Sequence, residues 1–344
     1  MKQNKFIHFI GRVQGIFPFT NTNWFLENSR NKEINGINNL PNLKITNSIT
    51  KSDIIFIRNK PESTTDKQVK KIESLIKNFR SNKIIINDIK DFDSIDNKDI
   101  TFNIWKQKNI SCPEHSILNP LDIEESIQII NGMLAIKESV LLRINNRTGG
   151  TAMQKIDIST PKKLVKEYLK KLSIDVLNYR SERALTNLLA VEHINNGNNI
   201  YTHAFRAHIL NNEIISFYVA ISKTLVVSMT KLENADLDEF VRINTYFSNL
   251  LKNKTFKDKI LNAMNSISNM GAVDFLIVND EPIFLEINPM WKGNFFEKNY
   301  GNNKVLNKWF YKTPEIENKI PNIFEFKYPI KYWEKFYTKL SNNC

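Results

Sequence analysis

The sequence predicts an α/β chain, α+β in its later part, with more than one domain. Three observations carry that expectation. A strand, a helix and a second strand follow at short intervals near the start, and beyond them apolar runs of strand length alternate with amphipathic helices. At 344 residues the chain also exceeds one typical domain and can build two or three cores. With 41% hydrophobic and 24% charged residues the composition is that of an ordinary globular chain. No run of about 18 apolar residues exists to span a bilayer, and Met1 to His8 lead into no long apolar stretch. Neither a membrane span nor a signal peptide is expected.

Lys5 to Ile10 and Asp53 to Ile57 read as strands, Lys67 to Phe79 as a helix with Val69, Ile72, Leu75 and Ile76 at helical spacing, and Lys83 to Asn87 as a buried strand. The Asn-rich stretch between the first two strands fits no element. Gly11 and Gly15 do not form G-x-G-x-x-G, which argues against a dinucleotide-binding site. Asp88 to Asp99 is acidic and turn-rich, so it marks a boundary and gives a first domain over 1–96.

A helix from Lys98 to about Lys108, a strand at Ser116 to Leu118, a helix at Ile123 to Met133 and a strand at Ser139 to Ile144 follow. They lead into Asn145-Asn146-Arg147-Thr148-Gly149-Gly150. Paired glycines let backbone N–H groups approach an anion, and Arg143 and Arg147 flank them; a plain hairpin turn is the other reading. Pro161 to Leu172 is a basic helix whose charges form a solvated face, and Thr186 to Ile194 is an apolar strand carrying Glu192 near its end. Tyr201 to Leu210 and Ile214 to Ser222 form a hairpin in which Arg206 alternates with apolar neighbours. His203 and His208 lack partners at zinc-ligand spacing and read as sheet-surface histidines.

Two helices, Asp236 to Lys252 and Thr255 to Met270, then precede the stretch that says most about chemistry. Val273 to Val278 and Ile283 to Ile287 are apolar runs joined by Asn279-Asp280-Glu281-Pro282, a hairpin with a polar turn. Side chains alternate across a strand, so Glu286 and Asn288 share a face, and antiparallel pairing can bring Asp274 alongside them. Two carboxylates and a carboxamide without His or Cys suit Mg²⁺ or Mn²⁺ rather than zinc; acids turned to water on a half-buried hairpin are the alternative. Beyond it, Trp291 reads as packing and Lys292 to Phe296 as a substrate loop. Residues 301–344 alternate aromatic and Lys side chains, which fits a docking helix or a base-stacking surface.

Asp274, a hairpin, then Glu286-Ile287-Asn288-Pro289 resembles the metal-binding signature of the ATP-grasp ligases. The stretch from Asn97 to Leu118, with Lys98 opening a helix and Ile110-Ser111-Cys112-Pro113 as a turn, resembles the entry to the same module. The resemblance covers residues 97 to about 295. It implies an ATP-grasp fold, with a small subdomain over 97–190, a C-terminal subdomain over 191–310 and an aromatic, Lys-rich extension over 311–344. It further implies that Asp274, Glu286 and Asn288 hold Mg²⁺ or Mn²⁺ on the phosphates of ATP, with Lys98 and Arg143 as phosphate contacts. Gly149 and Gly150 would cover the phosphates, Glu192 with the backbones of His193 and Ile194 would recognise adenine, and Arg206 would contact the transferring phosphoryl group. The family usually places Lys where Arg143 stands, and the two differ in geometry.

The activity so implied is ATP-dependent joining of a carboxylate, small-molecule or peptide, to an amine or similar nucleophile, with release of ADP and phosphate. Two other readings stay open: a basic nucleic-acid-binding module, and an ATP-binding protein without catalysis. The net charge of +12 invites the first, but Lys and Arg are spread along the chain instead of clustered on a face. With Cys112 and Cys344 as the only thiols, no disulfide framework or zinc site forms, and a reducing, cytoplasmic setting fits.

Overall fold

A computed structural model of the chain describes residues 4–13, 16–22, 40, 42–58, 64–147, 153–198, 200–210, 212–224, 227, 233–289, 334, 337 and 338. Its strands form three sheets that follow one another along the sequence. The first contains β1 (Lys5–Val13), β2 (Ile16–Phe19), β3 (Leu43–Ile45), β4 (Ile54–Ile57) and β5 (Ile84–Ile86). β1 pairs in parallel with β3 and β4, β4 in parallel with β5, and β2 folds back antiparallel on β1. The unbroken Ile54-Ile55-Phe56-Ile57 run is what a parallel strand covered on both faces needs. Between β4 and β5 crosses α1 (Asp66–Ile76), whose start is fixed by a reciprocal cap: Thr65 Oγ1 accepts from Gln68 N–H at 3.3 Å and Gln68 Oε1 from Thr65 N–H at 3.0 Å.

Two helices connect to the second sheet, α2 (Phe92–Asp96) and α3 (Lys98–Gln107). That sheet is built from β6 (His115–Leu118), β7 (Ser139–Ile144), β8 (Gln154–Asp157) and β9 (Leu188–Glu192), antiparallel in the order β6-β9-β7-β8. α4 (Ile123–Leu134) and α5 (Lys162–Arg180) bury Ile127, Ile130, Leu169 and Val176 against its Val140, Leu142 and Leu188. The apolar stripe of α5 continues through Val176, so the helix runs past Leu172, where the sequence reading ended it.

The third sheet is antiparallel in the order β11-β10-β12-β13, from β10 (Thr202–Leu210), β11 (Glu213–Ser222), β12 (Met270–Val278) and β13 (Glu281–Asn288). α6 (Leu237–Leu250) and α7 (Lys254–Asn265) cover one face, where Phe240, Phe247 and Phe256 join Phe205, Phe275 and Phe284 in an aromatic core. Phe205 stacks on Phe275 with ring centres 5.8 Å apart, and Phe217 meets Phe247 edge-on at 4.9 Å. α3 belongs to this core through Trp105, whose Nε1–H donates to Ala263 O of α7 at 2.9 Å. The first sheet packs on the third by a smaller cluster, Ile7, Phe9 and Phe56 with Leu210, Met270 and Ala272.

The mixed α/β class holds, with differences of detail. β2, β3 and α2 were not expected; the first two lie against β1, and α2 occupies the stretch read as a boundary. Gly15, the Gly149-Gly150 pair, Trp291, Lys292 to Phe296 and nearly all of the C-terminal extension lie outside the described residues. Tyr337 is described and is buried in the cluster joining the first and third sheets. Among the described residues no helix is long and apolar enough to cross a membrane.

Candidate active site

β12 and β13 place the acidic group. Asp274 pairs across the strands with Glu286, and Ala272 with Asn288, so Glu286 and Asn288 come to one side with Asp274 beside them. Asn288 Nδ2–H donates to Asp274 Oδ2 at 3.0 Å and to Glu286 Oε1 at 3.4 Å. The register shifts directly after this pair: Phe275 faces Phe284, and Leu285 is left over. That bulge turns Phe284 into the aromatic core while Glu286 keeps the opposite side. The strands come close here; a Cβ on Gly271 would lie 3.0 Å from Asn288 O and 2.9 Å from Met264 Cε.

Three cations surround the two carboxylates. Arg206 on β10 is the cross-strand neighbour of Asp274 and grips it with Nε and Nη2. Lys98, first residue of α3 and 3% exposed, pairs with Glu286 Oε2 at 2.9 Å and donates to Asn145 O at 3.4 Å and Arg147 O at 3.2 Å. Arg143 on β7 stands 4.0 Å from Glu286 Oε2, and its buried Nε has no hydrogen-bond partner among the described residues. Burial alone would raise the Glu286 carboxyl, but Lys98, Arg143 and Arg206 outweigh it and hold Glu286 well below the usual carboxylate range. Burial pushes Asp274 up, against the pull of Arg206. Burial likewise lowers Lys98, opposed by Glu286, and lowers Arg143. The neighbouring Arg147, expected to flank the same phosphates, instead lays its guanidinium 3.5 Å from the ring centre of Tyr179 on α5.

These charges close one end of a cavity of about 410 Å³ between the second and third sheets, lined at that end by Arg143, Arg206, Asp274 and Glu286. Glu192, His193 and Ile194 line it too, with Phe102, Val191 and Phe205 as apolar walls. The segment is held firmly. Glu192 Oε1 pairs with Lys137 Nζ at 2.8 Å and Oε2 accepts from Glu114 N–H at 3.1 Å, while His193 N–H donates to Ser139 O at 3.0 Å. The Glu192 carboxylate and the His193 N–H are therefore already engaged within the protein.

The donors suit a hard divalent cation: two carboxylates and one carboxamide, no nitrogen or sulfur. Among the described residues no group of three or more His, Cys, Asp or Glu side chains is placed to hold a metal; Asn288 Oδ1 is the third oxygen beside the two carboxylates. Asn288 turns its Nδ2 toward the two carboxylates; presenting Oδ1 requires a half-turn of the carboxamide.

The histidines are corrected. His203 is 4% exposed with Nε2 2.7 Å from Glu239 Oε1, and His208 is fully buried on β10, so neither is a surface residue. Sequence reasoning also missed Asp99, Asn145 and Asn187, a buried polar network behind Lys98; the signal available was the Lys98-Asp99 pair at a helix start.

Compared as a sequence, the chain matches no protein-family model and no curated protein. Compared as a structure, it is similar to D-alanine–D-alanine ligase from Bacillus anthracis, at 11% identity and a TM-score of 0.50 over 84% of this chain and 87% of that one. A second structure of that ligase, complexed with ATP, gives 11% identity and 0.51 over 86% and 89%. D-cycloserine synthetase gives 6% identity and 0.50 over 82% and 91%. At such identities the likeness shows the fold: the chain has the ATP-grasp fold that the order of its motifs implied.

Proposed function

We propose that the chain is an ATP-dependent ligase that phosphorylates a carboxylate and joins it to an amine or similar nucleophile, releasing ADP and phosphate. The observation that carries this is the meeting of Asp274, Glu286 and Asn288 with Lys98, Arg143 and Arg206 at one end of a cavity whose wall includes Glu192 to Ile194. A nucleotide laid along it would have its base among Val191, Ile194 and Phe205 and its phosphates among the charges.

In phosphoryl transfer the bond from the γ-phosphorus to the β-phosphate oxygen breaks as a carboxylate oxygen attacks, and negative charge spreads over the phosphoryl oxygens. Lys98, Arg143 and Arg206 would answer that charge. Asp274, Glu286 and Asn288 would hold the magnesium, which supplies further neutralisation of the phosphate oxygens. The nucleophile then attacks the acyl carbon, the bond from that carbon to the phosphate oxygen breaks, phosphate leaves, and the proton lost by the nucleophile passes to solvent. Arg206, on the cavity wall beside Asp274, would serve both steps. Arg143 would fill the role the resemblance gives a Lys, with an Nε that has no partner among the described residues.

Purified protein mixed with ATP, Mg²⁺ and a library of carboxylates and amines, peptides included, is expected to release ADP only with its acceptor pair. Glu286→Gln is expected to lower that release by about 10²–10³-fold; release at the wild-type rate would remove the assignment. Tight ATP binding without ADP release under every mixture would favour the non-catalytic reading.

A further inference from the structure

We infer that Asp99 is a positioning residue for Lys98, an inference that rests on the function proposed above. Asp99 is the second residue of α3 and 3% exposed. A carboxylate in the first turn gains from the helix N-terminus, yet this side chain does not serve its own helix. It reaches across to the second sheet: Oδ1 accepts from Asn145 Nδ2–H at 2.8 Å and Oδ2 from Asn187 Nδ2–H at 2.9 Å. Those two asparagines are joined in turn. Asn145 N–H donates to Asn187 O at 3.0 Å, and Asn187 N–H to Asn145 Oδ1 at 3.0 Å. Asn145 Nδ2 also donates to Leu185 O at 2.8 Å. One carboxylate thus clamps the chain leaving β7 to the chain entering β9.

What the clamp fixes is what holds Lys98. The Asn145 and Arg147 carbonyls accept from its ammonium, and Asn145 O also accepts from the Lys98 backbone N–H at 3.3 Å. If that backbone shifts, the ammonium loses the two carbonyl acceptors that hold it against Glu286, whose carboxylate lines the charged end of the cavity. Asp99 itself does not line the cavity, so its influence on a nucleotide has to pass through Asn145 and Arg147 to Lys98. Burying a carboxylate is costly unless every lone pair is used, and packing alone would be served better by an apolar residue. The residue that grips the second sheet is next in sequence to the one that would grip a phosphate, so the two are set together.

The test is a double-mutant cycle on binding of a non-hydrolysable ATP analogue with Mg²⁺, measured by calorimetry on the full chain. Asparagine at position 99 keeps the shape but turns an N–H toward one of the two carboxamides. Asp99→Asn is expected to weaken the analogue about tenfold. In a Lys98→Met background the same change is expected to cost nothing further, an outcome that a purely structural role would not produce. Independent, multiplying losses, or Asp99→Asn binding like the wild type, would overturn the inference. Should Asp99→Asn not fold, Asn187→Ala removes one of the two bonds; a loss of binding that disappears in the Lys98→Met background supports the inference, and unchanged binding overturns it. A wild-type chain that does not bind the analogue sinks the ligase reading and this inference together, whereas wild-type binding matched by Asp99→Asn sinks only the inference.

Discussion

The two faces of the third sheet are made by the same strands and do opposite work. On one, Arg206, Asp274 and Glu286 stand in a row across β10, β12 and β13; on the other, one position along, Phe205, Phe275 and Phe284 form a parallel row. Each strand contributes adjacent or near-adjacent residues to both. The aromatic row is buried against α6 and α7 and supplies the apolar burial from which folding free energy comes. The charged row gains little from burial, because each carboxylate has to be matched to a cation, and breaking a match leaves an uncompensated charge. Strand pairing, instead of loop conformation, lines up the charges, and the aromatic face keeps that pairing in register.

The harshest way to break this comparison is to insert an alanine between Asp274 and Phe275, opposite the leftover Leu285. A regular ladder would then put Phe275 and Phe284 on the side of Asp274 and Glu286, so no cooperatively folded protein is expected by circular dichroism and soluble yield. Glu286→Gln should lower ADP release by about 10²–10³-fold and, because it leaves Lys98 without its carboxylate, should also lower the thermal midpoint; ADP release at the wild-type rate would show that the charged row takes no part in the reaction. Phe284→Ala sharpens the contrast from the other side. It should cost about 3–5 kcal/mol in urea unfolding while leaving affinity for an ATP analogue unchanged in the folded protein. The smallest effect concerns His208 on β10, which burial, helped by Arg206, holds well below the ordinary histidine range. The unfolded chain takes up a proton at this position before the folded one does. Stability is therefore present above the ordinary histidine pKa and falls as pH drops below it, with a slope approaching about 1.4 kcal/mol per pH unit. His208→Gln should flatten that slope, whereas substitutions on the aromatic row should not.

Much of the charged row was legible because it obeys the strand period. Asp274, Glu286 and Asn288 interrupt apolar runs at positions that alternation alone sends to one side, and Arg206 does the same on its strand. The bulge was not legible, since a leftover residue is defined by the partner strand and not by the strand that carries it. Lys98 could be placed at a helix start; its burial follows from Asn145, Arg147 and Glu286, which lie far away in sequence. Arg147 misled for a related reason. Its position beside the glycines suggested a phosphate partner, but Tyr179 on α5 takes the guanidinium face. β2 and β3 are too short to show a period and exist because β1 offers them backbone partners.

One consequence of Trp105 concerns mechanics. α3 is fastened at that indole to α7 and at its first turn to the second sheet through Asp99, so it works as an axle between the two walls of the cleft. Any rocking that opened the cleft would swing Arg143 away from Glu286, stretching a separation that is already 4.0 Å, while Lys98 at the bearing kept its 2.9 Å hold. Of the two cations, one would ride with the door and the other with the hinge.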